Sequence, residues 1–148
     1  SEGCASDPCP GKVGIRGEAA AVERALARAE TAGARKTVRL PVSGSFHSAL
    51  MRPAAGVMKE ALAQVSPREP DPPFLSSISC EYESAGGLAE LLVRQMVSSV
   101  RWSQAVARLI DDGAGRFLEV GNGQVLCGLI RRTHRDVVTA TAVAGVIL

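Results

Sequence analysis

Of the two histidines in this 148-residue chain, His47 has neighbours suited to proton transfer. It lies in the run Leu40-Pro41-Val42-Ser43-Gly44-Ser45-Phe46-His47-Ser48-Ala49-Leu50-Met51, where a short strand is expected to give way to a helix. Gly44 and the flanking serines let the backbone take unusual angles. An imidazole, whose ordinary pKa is ~6.5, takes a proton from a hydroxyl near neutral pH. The plain alternative is a loop histidine or a helix cap. Gln95 is the second candidate. It shares the inward face of a predicted helix with Leu91 and Leu92, and a buried amide without a partner costs about 1–3 kcal/mol. Its plain alternative is a helix-end glutamine in water.

Two further groups invite a ligand. Glu119-Val120-Gly121-Asn122-Gly123 precedes a predicted helix whose first N–H groups are free to meet an anion. The run lacks the full G-x-G-x-x-G spacing, so a structural turn is expected. Arg131, Arg132, His134 and Arg135 follow that helix, where cations suit the helix dipole. They read as a solvated surface, with a docking patch for an acidic partner as the alternative. A serine nucleophile at a strand–helix elbow usually lies in G-x-S-x-G, and no such pentapeptide occurs. Ser43, Ser45 and Ser48 are too near His47 in sequence to pair with it as nucleophile and base. Cys80 and Cys127 sit in apolar patterns and read as core.

Residues 1–17 show no periodicity and read as an irregular leader. Residues 18–32 read as a helix, with Val22, Ala25, Leu26 and Ala29 on one face and Gly33 as its stop. Residues 36–42 read as a short strand that ends, or lies at an edge, at Pro41. A long helix over 48–65 is expected, with Leu50, Ala54, Val57, Met58, Ala61, Leu62 and Val65 as its apolar stripe and Pro53 in its first turn. A proline-rich connector follows, then an extended stretch over 74–82. Helices are expected over 86–96 and 101–112, a strand over 116–120, a helix over 124–132 and a strand over 137–143. This alternation is that of an α/β fold.

The length suits one domain. A net charge of +2 with one Trp, one Tyr and three Phe gives no basic patch with interleaved aromatics, so nucleic acid is not an expected partner. No apolar run approaches the ~20 residues of a membrane span, and no membrane partner is expected. The cysteines Cys4, Cys9, Cys80 and Cys127 lack the paired short spacing of a zinc site, so no metal is expected. Free thiols in a reducing compartment are expected, with a Cys4–Cys9 disulfide as the alternative.

Three stretches carry a family resemblance: the run around His47; Leu92-Val93-Arg94-Gln95-Met96 with Val100-Arg101-Trp102; and Glu119 to Leu129. In order and spacing they resemble the C-terminal part of the malonyl-CoA:acyl-carrier-protein transacylases and of the acyltransferase domains of fatty-acid and polyketide synthases. Gly121-Asn122-Gly123 stands where that family usually has Gly-Pro-Gly. The resemblance implies an α/β fold in which 18–42 ends a small ferredoxin-like subdomain and 43–148 is the C-terminal part of an α/β-hydrolase-like core. It implies His47 as catalytic base, Gln95 as the residue orienting it, and Phe46 and Ser45 in substrate binding, with the Phe46 ring favouring malonyl over methylmalonyl. It implies malonyl-CoA and acyl carrier protein as partners and no cofactor. It places the family's nucleophilic serine, carboxylate-binding arginine and oxyanion-hole glutamine in an upstream half, so this chain alone is expected to be inactive. The alternatives are a non-catalytic remnant that binds acyl carrier protein and a piece of a polyketide synthase. A bacterial cytoplasm, a mitochondrion or a plastid would suit the composition.

Overall fold

A computed structural model describes residues 3–9, 11–143 and 146–147, with side chains described from 11 to 142. The element order is β1 (Gly3–Cys9), β2 (Lys12–Arg16), α1 (Ala19–Thr31), a 3-10 turn (Ala49–Met51), α2 (Arg52–Leu62), β3 (Phe74–Leu75), β4 (Tyr82–Glu83), α3 (Ala85–Gln95), α4 (Trp102–Asp111), β5 (Arg116–Val120), α5 (Val125–Thr133), β6 (Val138–Val143) and β7 (Val146–Ile147). The fold is α/β, as expected.

The βαβ unit at the C-terminal end is the most regular part. β5 and β6 pair in parallel from Arg116↔Val138 to Val120↔Ala142, and α5 makes the crossover that parallel strands require. α5 is pinned at both ends of its stripe: Cys127 is 1% exposed and Ile130 3%, and Cys127 Sγ donates to the Ala140 carbonyl at 3.2 Å. Along β5 burial alternates, with Phe117 and Glu119 half-buried and Leu118 and Val120 exposed. One face of β5 is therefore half-buried and the other is open.

The middle of the chain is held by local polar contacts. Ser76 is buried, and its hydroxyl accepts the Ile78 amide at 3.0 Å. The Arg101 amide donates to the Ser77 carbonyl at 2.8 Å, which seats the start of α4 on this turn. Glu69 Oε2 accepts the Ala85 amide at 2.9 Å, supplying α3 with the negative N-terminal charge that its own first turn lacks. On the surface Arg108 bridges Asp112 at 2.9 Å and Glu81 at 3.0 Å, a link between α4 and the residue before β4 of small net value in water.

Four expectations need correction. Residues 1–17 are not irregular throughout: β1 and β2 form an antiparallel hairpin around Gly11 at φ +77°. Its register shifts twice, between Cys4 and Ser6 and between Ser6 and Cys9, and such bulges erase the two-residue alternation that would mark strands in sequence. Residues 36–42 form no strand, because no described strand pairs with them; Val38, Leu40 and Val42 are 58%, 61% and 59% exposed. The stretch 74–82 is not one strand but two short ones, β3 and β4, paired Phe74↔Glu83 and Leu75↔Tyr82. The helix expected over 48–65 is a 3-10 turn followed by an α2 that ends at Leu62, with Pro53 in its first turn. Most of its stripe is uncovered: Leu50, Val57, Met58 and Val65 are exposed, and Ala55 is its buried residue. The cysteine expectation divides. Cys80 and Cys127 are free and buried, whereas the side chains of Cys4 and Cys9 lie outside the described residues.

These open faces add up. The chain exposes 10230 Å², where a compact monomer of 15.4 kDa exposes about 7200 Å². The buried apolar set is correspondingly small and rich in alanine and cysteine. Leu91, 3% exposed, is one of its few large members. Leu91→Ala is expected to lower stability by about 2–4 kcal/mol, and Val57→Ala on the open face by no more than about 0.5 kcal/mol. Urea unfolding midpoints of the two variants check this contrast.

Candidate active site

His47 and Gln95, 48 residues apart, meet. The imidazole Nδ1 lies 2.8 Å from the main-chain carbonyl oxygen of Gln95. A carbonyl only accepts, so Nδ1 carries the proton and Nε2 keeps a lone pair. Gln95 is the last residue of α3, and the last carbonyls of a helix have no intrahelical donor. That oxygen also receives the Ser98 amide at 3.4 Å, well within the capacity of a carbonyl. It sits at the negative end of the α3 dipole, facing a ring that becomes positive on taking a proton.

The loop that presents His47 is tied on both sides. Ser45 Oγ donates to the Gly17 carbonyl at 3.2 Å, which anchors the loop just beyond β2. Ser48 Oγ donates to the Ser45 carbonyl at 2.6 Å and accepts the Leu50 amide at 3.3 Å, capping the 3-10 turn. Between these ties His47 has φ +59°, the left-handed region that costs a non-glycine residue about 1–3 kcal/mol. Phe46 is 46% exposed. Its ring folds over Gly44, where an added Cβ would lie 3.4 Å from Phe46 Cζ. The site therefore contains a half-buried imidazole with a fixed tautomer, beside an exposed aromatic ring. It can act as a general base through Nε2.

The other sequence candidates resolve differently. The turn after β5 is structural, with Gly121 at φ +137° and Gly123 at φ +106°. The anion at the N-terminus of α5 is the protein's own: Glu119 accepts the Cys127 amide at 2.8 Å and the Leu126 amide at 3.2 Å. The Cys127 amide is the main cause that holds the Glu119 carboxyl below its ordinary 4.5. In the basic cluster, Arg131 Nε turns back onto the Cys127 carbonyl at 3.4 Å. Arg132 and His134 line a separate pocket of about 530 Å³ with Lys12 and Gln104. Among the described residues no group of three acidic, His or Cys side chains is placed to hold a metal, and no helix is long and apolar enough to cross a membrane.

Sequence reasoning paired His47 with Gln95 but missed that the acceptor is main-chain. The signal was there in part, since a residue predicted at a helix end offers an unpaired carbonyl. Nothing in the sequence pointed to Gly17 or to the capping role of Glu119; the glycine and serines around His47 allowed unusual backbone angles, but the structure places the left-handed one at the histidine itself.

Residues 3–147 match the family described as "Acyl transferase domain". The chain belongs to that family. It is 38% identical over 132 residues to the malonyl CoA-acyl carrier protein transacylase of Bacillus subtilis (strain 168), covering 88% of this chain and 42% of that protein. Among solved structures it resembles the acyl-carrier-protein-S-malonyltransferase of Bartonella henselae, with TM-score 0.89 and 40% identity over 95% of this chain and 45% of that one. It also resembles a malonyl-transacylase solved in complex with its type II PKS acyl-carrier protein, with TM-score 0.92 and 34% identity over 96% of this chain and 46% of that one. The acyl transferase chain described here thus spans less than half the length of the relatives it matches.

Two outcomes follow from this geometry. Gln95→Leu is expected to leave the Nδ1–H tautomer of His47 intact, because the acceptor oxygen stays; imidazole nitrogen NMR reads the tautomer directly. Glu119 stabilises the fold fully above the ordinary glutamate range and loses that contribution as pH falls through its lowered native value. Glu119→Gln should therefore be less stable than the parent at pH 7, and the gap should close in acid below 4.5. Urea midpoints taken from pH 7 to pH 3 would show a constant gap if the carboxylate plays no part.

Proposed function

We propose that this chain is the histidine-bearing part of a malonyltransferase that moves malonyl from coenzyme A to the phosphopantetheine thiol of acyl carrier protein in fatty-acid synthesis. The observation that carries the reading is the His47 Nδ1–Gln95 carbonyl hydrogen bond of 2.8 Å, which leaves Nε2 free to accept a proton. Family membership and the names of the relatives support the substrate class. In this reading a serine on the remaining part of the enzyme is the nucleophile. Nε2 takes the serine proton as the oxygen attacks the malonyl thioester, and the imidazolium returns that proton to the departing coenzyme A sulfur. Nε2 then takes the proton of the phosphopantetheine thiol as its sulfur attacks the malonyl-serine ester, and gives it to the serine oxygen that leaves. The Gln95 carbonyl stands where an acid stands in Ser-His-Asp triads. Phe46 shapes the acyl site and disfavours an α-methyl, and Ser45 lines the same edge while its hydroxyl proton is held by Gly17. No cofactor takes part.

The same reading assigns residues 18–42 to the end of a ferredoxin-like subdomain and 43–148 to an α/β-hydrolase-like core. The open faces support a covering polypeptide. Leu118 and Val120 on β5, the unpaired Val38–Leu40–Val42 run and the exposed stripe of α2 together need one. Arg16 Nη1 is buried without a hydrogen-bond partner, and the same polypeptide would supply the missing acceptor.

The test is co-expression with the part of the Bacillus subtilis relative that this chain does not match. The pair is expected to transfer malonyl to acyl carrier protein, and His47→Ala is expected to cut the rate by about 10²–10⁴-fold while the pair still assembles. Undiminished transfer in the variant would remove His47 as the base. A pair that assembles but transfers nothing would favour a non-catalytic remnant instead.

A further inference from the structure

The His47 loop raises a question that the base role does not answer: what keeps a histidine in a left-handed conformation. Ser45 to Ser48 form a tight turn with Phe46 and His47 at its centre, and His47 occupies its third position with φ +59°. Turns with a positive φ at that position select glycine or asparagine. A histidine there relaxes to negative φ unless its surroundings hold it. That relaxation would swing Cβ, and with it the imidazole, away from the end of α3.

We propose that Ser48 is the positioning residue of this site, its hydroxyl locking the turn that holds His47 left-handed and so keeping Nδ1 on the Gln95 carbonyl. One oxygen closes the turn over the histidine and caps the 3-10 turn that follows it. It donates backward to the Ser45 carbonyl at 2.6 Å and accepts forward from the Leu50 amide at 3.3 Å. Ser45 cannot substitute, because its own hydroxyl reaches outward to Gly17 and does not cross the turn. The Ser45–Ser48 bond therefore closes over Phe46 and His47, the Leu50 amide fixes the Ser48 oxygen from the other side, and the Ser45–Gly17 bond fastens the turn to the end of β2. Ser48 acts through His47 and touches no reacting atom.

This inference rests on His47 as the proton carrier, but its test does not require acyl transfer. Nitrogen-15 NMR of the full chain reads the His47 tautomer, with His134 as internal reference. The parent is expected to show the Nδ1–H form alone. Ser48→Ala should reduce that form to a minority while amide signals away from 45–50 stay in place, and Ser48→Thr, which keeps the hydroxyl, should restore it. A folded Ser48→Ala chain with Nδ1–H undiminished would overturn the proposal. Should Ser48→Ala not fold, Ser48→Cys keeps the shape with a weak donor; it should show the same loss, and a parent-like tautomer there would overturn the proposal equally. A merely structural role for Ser48 would lower the melting temperature of the folded variants without moving the tautomer. If the tautomer shifts as expected but His47→Ala leaves transfer intact in the co-expressed pair, the base role fails while the positioning stands.

Discussion

A single hydrogen bond, from His47 Nδ1 to the carbonyl that ends α3, joins the two elements on which the proposed active site is built. It links a loop fastened to the end of β2 with a helix from the middle of the sequence. It also decides which ring nitrogen carries the proton. A carboxylate in the same place would bring its own charge and its own titration. A helix-end carbonyl brings neither, only a fixed partial charge that the helix holds in place whatever the pH. In the proposed role the orienting contact is made by the backbone instead of a side chain, and the contact depends on α3 ending at Gln95.

The constraint propagates outward. α3 is placed by Glu69 at its start and by Leu91 in its middle. The histidine loop is tied to Gly17, just beyond the β1–β2 hairpin, through the Ser45 hydroxyl. The βαβ unit at the C-terminal end uses the same device in reverse. There a side chain, Glu119, supplies the charge that the N-terminus of α5 requires. Both helix ends are satisfied within the chain, one as acceptor and one as donor. This agrees with the structural turn expected of the glycine run beside α5, since Glu119 meets the amides that an anion would otherwise approach.

Much of the remaining surface is apolar and open. The strand residues Leu118 and Val120, the extended run at 36–42 and the outer stripe of α2 share one property: each has the pattern of a buried element and no described neighbour to bury it. Parallel sheets in α/β proteins are covered on both faces, and the family relatives have more than half of their length beyond the matched region. The open faces and the unmatched length of the relatives both support the covering polypeptide of the proposed reading.

Several features were legible from the residues alone because they depend on local order. The helices α1, α3, α4 and α5, the strand at 116–120 and the α/β alternation follow from apolar spacing, and the pairing of His47 with Gln95 followed from a family pattern. Other features needed the third dimension. The hairpin at the start was hidden because its bulges break the alternation. The strand expected at 36–42 failed because a strand is a relation between two segments and its partner is not among the described ones. The apolar stripe of α2 is legible in the sequence, but its burial depends on what lies opposite. The tautomer of His47, its left-handed backbone and the use of a carbonyl in place of an amide arise from hydrogen bonds between residues far apart in sequence. Residue types determined which groups could do chemistry here, and only the fold decided which atoms of those groups face one another.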